Sequence, residues 1–383
     1  MQIMRQLISS TLLSRLSVII WVVLWLLVFE LLLYTLVPPT PVGVKPNRFQ
    51  RYLEYGSSVE GKIDRMIAPT DEATTDWVAF AGWLEPSRWQ TRPSTPKTAD
   101  GLLVAIYGMS FSNHMGRALV ELEPRITARL IAGPSAPPNY TYTAYLLDRK
   151  PHSAQAVCMG ILASGVVGMT TMTGMNKSFE RPAPFTFPKY RIVENQLEPI
   201  WPKVRNLTDL RRALNDKMLW EDYIQQLQME DSYYDPFLFN HNVTDYFAFI
   251  NFMRLSWAKK HARSVNDTVY GPNGFFEDSE VIPVLRLMIK EFAKKARSNG
   301  QLPILLLFNN RGFSDHLYQT LANTITEAGI PTVSSHTIAS ANDPNNFIPG
   351  DGHFLPKIDK QLAQAVLKII SEHKMMPEKE PGK

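Results

Sequence analysis

Hydrophobic positions are spread unevenly along this chain. Between 16 and 37 every residue is apolar except Ser17, Glu30 and Thr35. One helix built from such a run reaches across a hydrocarbon core of about 30 Å. The run is longer than a typical signal-peptide core, and Val37-Pro38-Pro39-Thr40-Pro41 follows it instead of a small-residue cleavage site. The expectation is an uncleaved single-pass anchor at 16–37. From 38 to 100, Pro, Thr and isolated aromatic residues occur without a long period, as in a stalk that packs partly onto the domain beyond it.

Regular alternation begins at Gly101. The apolar block 102–107 predicts a buried strand, and the spacing of Ala118, Leu119, Leu122, Ile126 and Leu130 predicts a helix over 115–129. A turn-rich stretch at 133–139 leads to a helix near 142–149 and a second apolar strand at 156–162. The C-terminal third repeats the rhythm: helix 281–297, strand 302–308, helix 314–328, a short strand at 331–334 and an amphipathic helix at 357–371. Strands that are apolar throughout and alternate with helices indicate a parallel sheet covered on both faces. The expected fold is therefore three-layer α/β/α over 101–375, with residues 376–383 as a flexible tail. About 175–280 breaks the rhythm with helical, aromatic-rich sequence (Trp220, Tyr223, Tyr233, Phe247, Phe252). It reads as an insertion that caps the sheet, or as one whose aromatics form a core of their own.

Composition refines this picture. Of 383 residues, 45% are hydrophobic and 20% charged, an ordinary balance for a chain that buries a core. The net charge of +4 is small, so clusters such as Lys259-Lys260 and Lys294-Lys295 read as solvated helix faces and not as nucleic-acid sites. Arg5 and Arg15 precede the apolar run and no acidic residue does, which favours a cytoplasmic N-terminus over 1–15 and an extracytoplasmic main domain. Lys45, Arg48 and Arg51, beyond the run, weigh the other way. Glu30 reads as a lipid-adjusted or protonated passenger of a single span, with a functional intramembrane carboxylate as the alternative. The single cysteine, Cys158, lies in an apolar stretch and reads as a buried small hydrophobe. An exported domain without a disulfide framework suits a bacterial periplasm. Asn-x-Ser/Thr triplets at Asn139, Asn176, Asn206, Asn242 and Asn266 are short enough to arise by chance.

Candidate chemistry gathers in two short segments. Gly108-Met109-Ser110 ends the strand at 102–107 and delivers a serine ahead of a helix; Gly350-Asp351-Gly352-His353 puts a carboxylate and an imidazole two residues apart. A serine hydroxyl becomes a useful nucleophile when a base takes its proton and a third group orients that base. Ligands of open α/β sheets bind at the carboxyl ends of the strands, where both segments are expected, and the Ser110 N–H can help bind an oxyanion. The bland readings are an N-cap for Ser110 and a backbone-bonded loop residue for His353. His114 is an alternative base, whereas His152 and His316 read as surface or capping residues. No HExxH, CxxC pair or phosphate-binding glycine loop occurs, so no metal and no cofactor are expected.

These segments resemble those of the SGNH/GDSL hydrolase superfamily, whose members are three-layer α/β esterases, lipases and acyltransferases. Gly108-Met109-Ser110 is similar to the family's Gly-Asp-Ser block, with Met109 in place of Asp. Asp351-Gly352-His353 is similar to its final block with a spacing of two, as in the polysaccharide-acetylation branch. The resemblance implies Ser110 as nucleophile, His353 as general base and then acid, and Asp351 as the group orienting the imidazole. It also implies two further oxyanion donors. Gly133 matches the glycine block; Asn176, in Gly174-Met175-Asn176, and Ser164, near the end of the 156–162 strand, are alternatives for the asparagine block. The implied function is a membrane-anchored serine esterase acting on an ester, such as O-acyl groups of a cell-envelope glycan or lipid. An O-acyltransferase with the same triad, or a degenerate glycan-binding scaffold, are the alternatives.

Overall fold

The computed structural model describes residues 2–38, 40, 47–68 and 77–376. In chain order the helices begin with α1 (Gln2–Leu36), α2 (Arg48–Tyr55), α3 (Val59–Ile67) and α4 (Trp77–Phe80). Next come β1 (Leu102–Gly108), α5 (Ser110–Leu122), β2 (Ile126–Ala132), α6 (Pro138–Asp148), β3 (Ala156–Leu162) and α7 (Gly174–Lys177). The middle holds β4 (Lys189–Val193), β5 (Gln196–Ile200), α8 (Leu207–Asn215), α9 (Lys217–Glu230), α10 (Pro236–Phe239) and α11 (Ala248–Asn266). The remainder is β6 (Tyr270–Gly271), β7 (Gly274–Phe275), α12 (Val281–Ser298), β8 (Leu302–Phe308), α13 (His316–Ala328), β9 (Thr332–Ser334) and α14 (Pro356–Glu372). All but Met376 of the tail expected at 376–383 lies outside the described residues.

These elements form two compact units. The first joins residues 1–76 to 178–182 and 235–261; the second holds 77–177, 183–234 and 262–383. The stretch expected to be one insertion is thus divided, its 235–261 portion grouping with the N-terminal helices and 183–234 with the α/β elements.

In the first unit, Arg15–Leu36 of α1 is long and apolar enough to cross a membrane, and none of it is buried. Glu30 is not the unpartnered passenger expected from the sequence. Its carboxylate accepts the backbone N–H groups of Ala248 at 2.7 Å and Phe249 at 2.6 Å, so it caps the start of α11. A carboxylate there satisfies N–H groups that have no partner within the helix and complements the helix dipole. A buried polar cluster completes the unit: Asp245 pairs with Arg254 at 2.5 Å and with His241 at 2.8 Å, and also accepts from the Ser58 hydroxyl. Lys62 is buried under Tyr55 and Phe179, whose carbonyls take its ammonium, and burial holds its pKa well below the usual lysine range.

In the second unit five parallel strands run in the order β2-β1-β3-β8-β9. β1 and β3 are buried along almost their whole length, which is why they read as unbroken apolar runs. The helix expected over 115–129 is two elements. α5 ends at Leu122, and Ile126–Ala132 pairs with β1 from Leu102↔Ile126 to Gly108↔Ala132. Pro124 disfavours helix at Glu123, and the β-branched pair Ile126-Thr127 then enters the sheet. β4 and β5 form an antiparallel hairpin inside the expected insertion, turning on Glu194 and Asn195 at φ 49° and 62°.

A buried ion pair holds β2 to α6. Arg129, 2% exposed, donates to both Asp148 oxygens, at 2.7 and 2.5 Å, and the Tyr107 hydroxyl donates to the same carboxylate at 2.9 Å. His152 is not at the surface: its ring is enclosed, 2.9 Å from the Tyr107 hydroxyl, and burial lowers its pKa. His316 opens α13 and bonds the Tyr270 hydroxyl at 2.9 Å, tying that helix to β6. Cys158 is fully buried, which pushes its thiol pKa up to about 12.

Candidate active site

The strand order fixes where a site can form. From β1 the sheet extends one way to β2 and the other way to β3, so the connections diverge at the carboxyl ends of β1 and β3, the position at which open α/β sheets bind ligands. Ser110 stands at the β1 end, as the first residue of α5. Met109, before it, is extended (φ −122°, ψ −169°) and 1% exposed, so its side chain is committed to the interior. The turn is tight for an identifiable reason. Ser112 packs down against the sheet, and a Cβ at Gly108 or Gly160 would come within 2.1 or 2.0 Å of its Oγ. Glycine at both positions lets α5 approach β1 and β3 closely enough to present Ser110.

The second segment forms a short loop closed on itself. Ile348 N–H donates to the His353 carbonyl at 2.8 Å, Leu355 N–H to Asn346 at 2.9 Å, and the Phe347 and Phe354 rings stack at 5.1 Å. Gly350 and Gly352 have φ of +78° and +82°, backbone that side-chain-bearing residues rarely adopt. That conformation sets Asp351 and His353 side by side. The His353 Nδ1 lies 2.5 Å from Asp351 Oδ1, and its Nε2 lies 2.6 Å from Ser110 Oγ. The three residues singled out from the sequence therefore form one continuous hydrogen-bonded relay, across 243 positions of sequence between Ser110 and His353.

The imidazole is held by its neighbours as well. Phe111 lies 4.9 Å from the His353 ring and 5.2 Å from Phe354, so the residue after Ser110 also packs against His353. His114 lies 4.9 Å from the same ring on the next turn of α5. It faces the His353 ring, while the Ser110 hydroxyl bonds His353 and not His114. Burial lowers the His114 pKa, and the neighbouring His353 and Arg117 act in the same direction. The His114 Nδ1 is 4.0 Å from Asp359 of α14. Asp359 is 7% exposed, and its burial raises its pKa to about 7, against a lowering contribution from His353. A second imidazole–carboxylate pair thus abuts the first. Little in the chain's local pattern marks it, because an Asp in the first turn of a helix is ordinarily explained by the helix dipole.

The three oxyanion candidates are differently placed. The Gly133 N–H donates to the Gly108 carbonyl at 3.0 Å, and its missing side chain makes room for Tyr140, 2.6 Å from where a Cβ would stand. Asn176 is buried and donates to Asp231 at 3.0 Å; that carboxylate also accepts from Thr171 at 2.6 Å, and burial raises its pKa to about 6. Both groups therefore have structural partners. Ser164 follows β3 and is half-buried, in a reciprocal pair with Asn310. Its N–H donates to Asn310 Oδ1 at 3.1 Å, and its hydroxyl accepts from Asn310 Nδ2 at 3.0 Å. Asn310 follows β8, and the register Leu162↔Phe308 sets the two residues level on the strand edge that carries Ser110. Asn310 was missed in the sequence because it ends an apolar block in Phe308-Asn309-Asn310, where an Asn is ordinary turn chemistry. The N–H groups of the first turn of α5, which have no partner within that helix, face the same edge as donors.

Among the described residues no group of three or more His, Cys, Asp or Glu is arranged to hold a metal ion. Comparison of the chain with family models, with curated proteins and with solved structures gives no match, so the geometry itself carries the functional argument.

Proposed function

We propose that this chain is a membrane-anchored serine esterase with a Ser110–His353–Asp351 relay on a three-layer α/β domain of SGNH type. The observation that carries the reading is the pair of contacts at His353, 2.6 Å to the Ser110 hydroxyl and 2.5 Å to the Asp351 carboxylate. In the proposed reaction Ser110 Oγ attacks an ester carbonyl while His353 Nε2 takes its proton. The negative oxygen that forms is stabilised by N–H groups at the start of α5. As the tetrahedral intermediate collapses, the alkoxide leaves with the proton from His353 and an acyl-serine remains. Water, deprotonated by the same imidazole, then releases the acid. Asp351 orients the ring and stabilises its protonated form.

The anchor reading follows from the apolar span of α1, with the catalytic unit on the extracytoplasmic side, in a bacterial inner membrane facing the periplasm. In that setting the substrate class is an O-acylated envelope glycan or a lipid ester. A specific observation favours a second reading: Gly133 and Asn176 both have other partners, so of the further donors that the family resemblance implies only Ser164 is left on the edge that carries Ser110. Losing one oxyanion donor typically costs about 10²–10³ in turnover. A chain so placed would turn over slowly, pass its acyl group to a sugar hydroxyl in preference to water, or bind glycan without turnover. Hydrolysis of p-nitrophenyl acetate by the full chain in detergent, beside Ser110→Ala, tests the main reading. Release of nitrophenol that is equal for both proteins would overturn it.

A further inference from the structure

The first unit carries an apolar surface in an unusual position. Helix α11 has two stripes. Asn251, Arg254 and Ala258 are buried, Arg254 completely, and face the polar cluster around Asp245. The opposite stripe, which a solvated helix would fill with polar residues, holds Phe249, Phe252, Met253 and Trp257, between 41% and 56% exposed. Phe237, before α11, lines the same shallow groove. Tyr52 of α2 lies 6.1 Å from Phe252, and Phe49, one turn earlier, is 75% exposed. Polarity over Phe249–Trp257 is thus reversed: Arg254 is inside and the aromatics are outside.

Two contacts tie this surface to the end of α1. Glu30 caps α11 through Ala248 and Phe249, and Gln50 of α2 donates to the Pro38 carbonyl at 2.9 Å. Glu30 lies six residues before Leu36, the last residue of α1, or about 9 Å along a helix axis. Amphipathic surface helices bury their apolar face about 5–10 Å into the headgroup–acyl boundary. With α1 spanning a bilayer whose boundary lies at Leu36, these capping bonds would hold the start of α11 at that depth. Lys259 and Lys260 follow at the polar margin, Lys260 with its ammonium 5.2 Å over the Trp257 ring, as suits a residue between an aromatic belt and anionic headgroups.

We propose that the Phe249–Trp257 face of α11, with Phe49 and Tyr52, is a phospholipid-binding surface seated in the leaflet from which α1 emerges. The occupant is the bilayer boundary itself, because the surface is continuous with the apolar span and is held at one depth by Glu30. The proposal rests on the reading of α1 as a membrane span. Its consequence is that the first unit is held against the bilayer by two elements instead of one.

Cys158 is buried and is the sole cysteine, so a bimane label can be directed to a new one. The full chain would be labelled at Leu24→Cys in α1, at Met253→Cys in α11 and at Met218→Cys on exposed α9, each in nanodiscs of phosphatidylcholine and phosphatidylglycerol. Doxyl-lipid quenchers and aqueous iodide then report surroundings. The expectation is that deep doxyl quenches the Leu24→Cys label. Shallow doxyl should quench the Met253→Cys label about twofold or more and iodide should leave it untouched, with the reverse at Met218→Cys. If Leu24→Cys responds to lipid but Met253→Cys behaves as Met218→Cys does, the surface proposal is overturned and the anchor stands. Shielding of Met253→Cys from both quenchers would mean that protein covers it, and overturns the proposal too. Failure at Leu24→Cys removes the anchor and the proposal together.

Discussion

Replacing Asp351 with Asn tests how much of the relay is electrostatic. The substitution keeps the shape of the side chain and one acceptor oxygen but removes the charge facing the imidazolium. Two unit charges about 4 Å apart attract by about 1 kcal/mol in water and about 4 kcal/mol at an effective dielectric of 20. The Asp351 side chain is 50% exposed and that of His353 24%, so this pair falls between those limits. At about 1.4 kcal/mol per tenfold in rate, Asp351→Asn should lower kcat about 10- to 10³-fold and change KM little. That is less than the loss of about 10⁴ for a buried triad aspartate, and the difference follows from exposure. The assay is p-nitrophenyl acetate hydrolysis by the full chain, with Ser110→Ala as the floor. A change below about threefold would refute the view that this carboxylate assists the imidazole. A fall to the Ser110→Ala floor would refute the argument from exposure.

Other outcomes follow from the packing. Asp359 has its pKa raised to about 7, while an unfolded aspartate titrates near about 3.9. The folded form holds a proton that the unfolded chain gives up, so stability falls as pH rises between about 4 and about 7. Asp359→Asn should therefore raise the melting temperature by several degrees at pH 8, for a gain of about 1–3 kcal/mol, and leave it unchanged at pH 4. A drop at pH 8 would mean that pairing with His114 outweighs burial. Gly160→Ala places a methyl 2.0 Å from Ser112 Oγ and should cost about 1–3 kcal/mol in urea unfolding. Adding Ser112→Ala should recover most of that loss, and simple additivity in the double mutant would show the clash is not the cause.

Much of this arrangement was legible in the sequence, for reasons that differ by element. β1, β3 and β8 showed plainly because strands buried on both faces carry no alternation to misread. β2 did not, because Ile126 and Leu130 happen to continue the helical spacing of α5, and only Pro124 marks the break. Ser110, Asp351 and His353 were recoverable because each sits in a glycine-marked turn whose backbone demands are local. The oxyanion partners were not, since whether Gly133, Asn176 or Ser164 has a free donor depends on the contacts each makes across the fold. Glu30 is the extreme case: its partner lies 218 residues away, and no local pattern announces a helix cap supplied from another helix.

The central claim is that Ser110 is a nucleophile activated by His353. The most direct test is to treat the full chain with a fluorophosphonate and locate the adduct by intact mass and peptide mapping. One adduct is expected, on Ser110, formed slowly in Asp351→Asn and absent in Ser110→Ala and His353→Ala. Equal labelling of Ser110→Ala and wild type, or an adduct on another residue, would contradict it.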